Sequence, residues 1–377
     1  MNYRLYIFLG ITLWMGLSFA SCSGEDEVVA GSDERVEIAL ITDDFTKIIA
    51  TSKSADATTS PSTTIPTAFA ATTRATDPGS DEENQIDNLF LFLFKSDGTD
   101  PVKYYIDTAG GFTYNGKSGN WDKTNGKITL NMTQAEAGTR QVYIVANCAD
   151  LQTALGNVTT ITGSGMTALE NVLRTTSTPW SPTLSTPILM SGNVTHNFID
   201  NRILGTGGSN PKIKLVRALA KVELNIRLTQ EHQSLPVVKE GDINDPNATL
   251  TEKPQYHYAF LNFDKNTYVV RPAPTKQSDL TAPDATVNLR SLGESDWTVW
   301  PIPWPPTRGV ILIVEELRLV TYINERDKET GRPLSSIGVS VPYTGPTPPP
   351  EFGPDVSQIF LPEKIERNHW YVYDVEL

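Results

Sequence analysis

Val36-Glu37-Ile38-Ala39-Leu40-Ile41-Thr42 is the stretch on which the reading of this chain turns. In an extended backbone Val36, Ile38 and Leu40 share one face and Glu37, Ala39 and Ile41 the other, so the spacing predicts a β-strand with one apolar and one mixed face. Residues 50–73 follow, rich in Thr, Ser and Ala, with Pro61, Pro66 and little apolar surface to pack. That composition predicts an exposed, mobile loop. Lys53 and Arg74 are the only basic residues between Ala50 and Thr76, and exposed loops are where proteases cut. A cut between Arg74 and Ala75 would separate the strand from everything after it.

Upstream, Arg4 precedes an apolar run from Leu5 to Ala20, too short and too early for a membrane span, which reads as a secretory signal over residues 1–21. The run ends in Phe19-Ala20-Ser21-Cys22, the pattern of a bacterial lipoprotein signal with Phe19 where Leu is more usual. On that reading Cys22 is the first mature residue and carries lipid; the alternative is an ordinary signal-peptide flank. Ser23-Gly24-Glu25-Asp26-Glu27 opens an acidic tether, residues 22–35. With Cys22 acylated only Cys148 remains, so no intramolecular disulfide is available. Cys148 follows an apolar strand pattern and reads as a small buried residue.

The 377 residues leave room for two domains at roughly 100–200 residues each. A net charge of −13 and the lack of a basic stripe argue against nucleic acid as a partner. Twenty-six Pro and 26 Gly are spread widely, and no long stretch has helical apolar spacing, so the fold class expected is all-β with few short helices. Ile86 to Phe94, closed by Asp97-Gly98, reads as a central strand buried on both faces. Gln141 to Asn147 reads as another, and Met166 to Leu173 as a short helix. The glycine-rich span Gly205 to Pro211 sets the expected boundary between domains at 75–210 and 211–377. Beyond it, apolar and polar residues alternate from Lys221 to Leu228. In the last stretch Tyr371, Tyr373, Val375 and Leu377 share a face.

Sites for chemistry are sparse. His196, His232, His257 and His369 are isolated from one another and from cysteine, so no metal-ligand spacing arises and no cofactor is expected. Asp97-Gly98-Thr99-Asp100 lacks the calcium-loop spacing and reads as a turn. No Gly-x-Ser-x-Gly elbow or strand-borne Gly-x-Gly-x-x-Gly is present, which argues against an enzyme. Trp297, Trp300 and Trp304, interleaved with prolines, form one aromatic cluster. Its readings are an adhesive surface that stacks on sugar rings or anchors a protein, or an irregular segment packed over the second sheet.

Taken together, the lipoprotein signal, the Arg74-Ala75 junction ahead of Ile86 to Phe94, Val142 to Asn147, Val216-Arg217-Ala218-Leu219-Ala220-Lys221 and Ile365-Glu366-Arg367-Asn368-His369-Trp370-Tyr371 resemble the fimbrillin family, the type V pilins of the outer-membrane surface. The resemblance implies two tandem transthyretin-like β-sandwiches, the second starting near Lys212. It also implies surface localisation by a lipid anchor in the outer membrane, cleavage by an arginine-specific protease after Arg74, and removal of residues 36–74 with their first strand. Other pilus subunits would then join by strand exchange. Family shaft subunits carry a further donor segment after the last strand, whereas this sequence stops at Leu377. That departure implies a tip or accessory subunit with a host or bacterial surface ligand. A pilus anchor subunit and a stand-alone surface lipoprotein that binds glycan or host protein are the alternatives.

Overall fold

The structure is a computed structural model. It describes residues 33–51, 73–161, 168–175, 187–199, 202–205, 212–229, 237–240, 251–254, 257–271, 290–291, 297–303, 310–327, 334–341 and 355–377. In chain order the strands are β1 (Asp33–Thr42), β2 (Phe45–Thr51), β3 (Thr73–Asp77), β4 (Leu89–Lys95), β5 (Val102–Ile106), β6 (Gly110–Tyr114), β7 (Lys117–Asp122), β8 (Lys127–Thr133), β9 (Thr139–Ala146), β10 (Leu173–Thr175), β11 (Met190–Asn197), β12 (Ile203–Leu204) and β13 (Ile213–Arg217). After them come β14 (Leu219–Arg227), β15 (Val237–Glu240), β16 (Thr251–Pro254), β17 (His257–Leu261), β18 (Asn266–Tyr268), β19 (Arg290–Ser291), β20 (Trp297–Pro303), β21 (Val310–Asn324), β22 (Ser336–Val341), β23 (Asp355–Phe360) and β24 (His369–Glu376). Helices among the described residues are single turns at Asp81–Asn84, Gln134–Ala137, Ala149–Leu151 and Gln152–Gly156.

The first domain is one ten-stranded sheet, ordered β5-β4-β9-β11-β13-β1-β8-β7-β6 with β12 against β1, folded over so that its halves face a common core. Alternation builds that core: Val36, Ile38 and Leu40 meet Leu89, Leu91 and Leu93 from β4, Ile128 and Leu130 from β8, and Ile213 and Leu215 from β13. On its other face β4 stacks Phe90, Phe92 and Phe94 against Cys148, Leu155 and Leu169. Thus β4 is buried on both sides along six of its seven residues, as its continuous apolar run predicts. Burial pushes the Cys148 thiol up to about 12, and it is inert packing material.

The second domain packs a six-stranded sheet, β20-β21-β14-β24-β2-β3, on a four-stranded sheet, β19-β17-β22-β23. Between them lie Val222, Leu224 and Ile226 from β14, Phe260, Ile337 and Val339 from the facing sheet, and the predicted row Tyr371, Tyr373, Val375 and Leu377. This is an all-β molecule of two sandwiches.

Three expectations need correction. The chain crosses between sandwiches at Ala218: β13, after the glycine-rich span, hydrogen-bonds to β1 and β11 of the first sheet. Of the expected loop over residues 50–73, Ala50 and Thr51 instead end the strand Phe45–Thr51 and Thr73 begins the strand Thr73–Asp77, both in the second sheet, while 52–72 lie outside the described residues. The β-branched and aromatic side chains of β2 fit a pleated surface and find a partner edge on β24, and β3 in turn pairs with β2. Within Met166 to Leu173, residues 168–171 form a turn and not a helix.

Gly192 is where β11 comes closest to β13: a Cβ there would lie 2.3 Å from the Lys214 carbonyl oxygen. Gly192→Ala is expected to lower stability by about 1–3 kcal/mol because backbone must move. Gly111→Ala, whose Cβ meets only Gly119 O at 4.0 Å, should stay within about 0.5 kcal/mol of the wild type in the same denaturant titration.

Candidate functional site

The segment 33–51 is shared by the two sandwiches. Its first half, β1, lies inside the first sheet, antiparallel to β8 from Asp33↔Thr133 to Ala39↔Lys127 and parallel to β13 from Leu40↔Ile213 to Thr42↔Leu215. Val36 and Ile38 are fully buried and Leu40 nearly so. Asp43-Asp44, poor strand formers, break the extended run and let the chain change sheets. The second half, β2, then runs parallel to β24 from Thr46↔His369 to Thr51↔Asp374. On its other side β3 closes the sheet, with Arg74 opposite Ile48. The candidate cleavage bond therefore lies in the outermost strand of the second sheet, followed by exposed Ala75 and Thr76.

Where the segment crosses between sandwiches it surrounds Arg217, a side chain with no exposed surface. The guanidinium donates from Nη1 to Asp43 O at 2.7 Å and Asn368 Oδ1 at 2.7 Å, from Nε to Glu83 O at 3.1 Å, and from Nη2 to Pro78 O at 3.1 Å and to Asn84 Oδ1. Its face lies 4.0 Å from the centre of the buried Phe45 ring. Burial pushes Arg217 down to about 10, against the pull of Glu83 and Asp43, so it stays charged at neutral pH. Asn368 sits beside it in the left-handed region, φ 58, which Asn tolerates. Its Nδ2 donates to Asp44 O at 2.7 Å, its carbonyl accepts from Thr46 N at 3.0 Å, and its own N–H donates to Leu219 O at 2.7 Å.

Glu83, beyond the candidate cleavage bond, also supports the junction. Ser80 and Glu83 form a capping box on the turn Asp81–Asn84. Lys221 Nζ lies 2.8 Å from Glu83 Oε1, the Tyr322 hydroxyl donates to that oxygen at 2.7 Å, and Ser80 N donates to Oε2 at 2.7 Å. Burial works to raise the carboxyl, but these donors outweigh it and hold Glu83 below the usual carboxylate range. Next to it Lys47 and Lys221 flank the Trp370 ring at 3.9 and 4.0 Å from its centre.

Val36, Ile38 and Leu40, the residues of the strand expected to be removed, pack in the first core, Phe45 packs in a separate cluster with Trp370 and Val372, and Arg74 and Ala75 lie two strands away from β24. Cys22 and Trp304 lie outside the described residues. Trp297 and Trp300 belong to β20, the outer strand of the second sheet on the side away from β3. Among the described residues no group of His, Cys, Asp and Glu is placed to hold a metal ion. Sequence reasoning missed β2 and the Arg217 junction. Two signals for the junction were present: a lone arginine inside the apolar run Leu215 to Leu219, and the Ser80-x-x-Glu83 cap.

A family model described as the minor fimbrium tip subunit MfA4, C-terminal, matches residues 218–376, beginning where the chain enters the second sandwich. A model described as the major fimbrial subunit protein FimA matches residues 57–224. The minor fimbrium tip subunit MfA4 of Porphyromonas gingivalis is 37% identical over 370 residues, 95% of this chain and 95% of that one. The chain belongs to the fimbrillin family. It is a structural protein of surface fimbriae, not an enzyme. Among solved structures, the tip fimbrial protein Mfa3 from Porphyromonas gingivalis with C-terminal truncation is 16% identical, covers 78% of this chain and 90% of its own, and superposes with a TM-score of 0.41. A fimbrial assembly protein from Parabacteroides distasonis is 12% identical, with coverage of 91% and 90% and a TM-score of 0.42.

Because Glu83 is depressed in the folded state, its contribution is present above the ordinary carboxylate range and fades as pH falls through its folded value. Glu83→Gln is expected to lower stability at pH 7 by about 1–3 kcal/mol. Denaturant titrations at pH 7 and at about pH 3 should show this gap shrinking in acid.

Proposed function

We propose that this fimbrillin is a tip or accessory subunit, kept closed as a precursor by residues 33–51 and opened for assembly by cleavage after Arg74. The observation that carries this is the sharing itself: one continuous segment completes both sandwiches and is covalently continuous with Arg74 in a five-residue outer strand. An outer strand is already extended with one side unpaired, the backbone shape that a protease groove accepts. Withdrawing Val36, Ile38, Leu40 and Phe45 at about 1.5–3 kcal/mol each forfeits roughly 6–12 kcal/mol, comparable to the whole stability of many domains. The opened chain thus needs a replacement strand, and the freed edges of β8, β13 and β24 are the template for one supplied by another fimbrial subunit. Such a head-to-tail contact extends a polymer without covalent chemistry.

The accepting role is supported by β24, which lies between β14 and β2 and holds three core side chains of its own sandwich, Tyr371, Tyr373 and Val375. Donating it would dismantle the domain. Identity to a tip subunit over nearly the full length supports placement at or near the fimbrial end. Cys22, as the lipidated residue, would tether the precursor to the outer membrane, so a cut after Arg74 releases anchor and plug together. The outer strand β20, with Trp297 and Trp300 and the adjoining Trp304, is the surface assigned to ligand contact.

Incubation of the purified precursor with an arginine-specific protease, followed by N-terminal sequencing, tests the cleavage. The expected product begins at Ala75, and Arg74→Ala remains uncut there. Resistance of the wild-type Arg74 bond, or cleavage confined to other sites, would contradict it.

A further inference from the structure

The crossing point between the sandwiches holds polar groups that the departing segment helps to satisfy. Within four consecutive residues, Asp43 and Asp44 offer their carbonyls to Arg217 Nη1 and Asn368 Nδ2, Phe45 lays its ring on the guanidinium, and Thr46 N–H donates to the Asn368 carbonyl. The other partners of Arg217, in Pro78, Glu83, Asn84 and Asn368, lie after the candidate cleavage bond and would stay. A buried guanidinium stripped of a ring and an acceptor is a strong demand for a replacement of the same shape. Independently of these contacts, the Trp370 indole N–H, buried beside the same spot, has no hydrogen-bond partner among the described residues. Lys214 Nζ, 3.0 Å from Asp43 Oδ1, adds an exposed cation at the entrance.

Position gives this cluster its use. Backbone edges such as those of β8, β13 and β24 accept many sequences in many registers, and a one-residue slip turns every side chain to the wrong face. The crossing point is the one place where the segment leaves one sheet for the other, so a contact fixed there fixes the register in both grooves. We propose that the Arg217–Asn368 junction is the specificity-determining socket of the assembly groove. It accepts an extended segment of a neighbouring fimbrial subunit that sets an aromatic ring in the place of Phe45 and two consecutive carbonyls in the places of those of Asp43 and Asp44. This rests on the strand-exchange reading above.

The test uses precursor cut after Arg74 and fluorescent synthetic peptides of residues 33–51, measured for exchange into the cut protein. Putting the substitutions in the peptide leaves the protein itself unaltered. The unmodified peptide is expected to enter, and a Phe45→Ala peptide to bind about 100-fold more weakly. A Phe45→Leu peptide, apolar but without a ring to stack on the cation, should lose about tenfold. An Ile41→Ala peptide, altered at a side chain that is 48% exposed, should stay within about threefold of the unmodified peptide. If the Phe45 peptides bind as well as the unmodified one, the socket is wrong while the accepting groove stands. If the unmodified peptide cannot enter cut protein that has released its own fragment, the exchange reading fails and the socket with it.

Discussion

A guanidinium with no exposed surface lies where two β-sandwiches meet, and the arrangement of both follows from satisfying it. Arg217 ends the last strand of the first sheet, and one residue later the chain begins the second. Its donors fan out to the segment that crosses between the sheets, to the capped turn at Asp81–Asn84, and to the residue that opens the final strand. Leaving such a charge unpaired in a low-dielectric interior costs several kcal/mol, so these three pieces of chain are obliged to converge. Glu83, with Lys221 and Tyr322, completes the charge balance from the second domain.

That convergence explains how a short segment serves two cores. β1 and β2 are separated only by Asp43 and Asp44, yet they belong to different sheets and contribute to different apolar clusters, Val36, Ile38 and Leu40 to one and Phe45 with Trp370 and Val372 to another. Each half is held by ladder hydrogen bonds and burial, and the junction holds the crossing. In the intact chain one continuous segment thus completes both sheets.

Much of the fold was legible in local pattern. The alternation in Val36 to Leu40 and in Tyr371 to Leu377 predicts the faces that the structure buries, and the continuous apolar run of β4 predicts burial on both sides. What local pattern could not supply was partnership. Phe45 to Thr51 is too short and too mixed to announce a strand, and it becomes one because the edge of β24 is there to receive it. Likewise Ile213 to Arg217 follows a glycine-rich span and looks like the start of a new domain, but its side chains Ile213 and Leu215 complete the first core. The Arg217 junction joins residues up to 324 positions apart, a separation at which periodicity carries no information. Only the chemical oddity of an arginine inside an apolar run and the Ser80-x-x-Glu83 cap pointed to it.

The central claim is that residues 33–51 close both sandwiches at once, and residue-resolved amide hydrogen exchange before and after cleavage at Arg74 tests it most directly. With the fragment removed, protection is expected to fall together along β8 and β13 in the first sandwich and along β24 in the second, and to return together when the segment is restored. Loss of protection in one sandwich with the other unchanged would contradict the account.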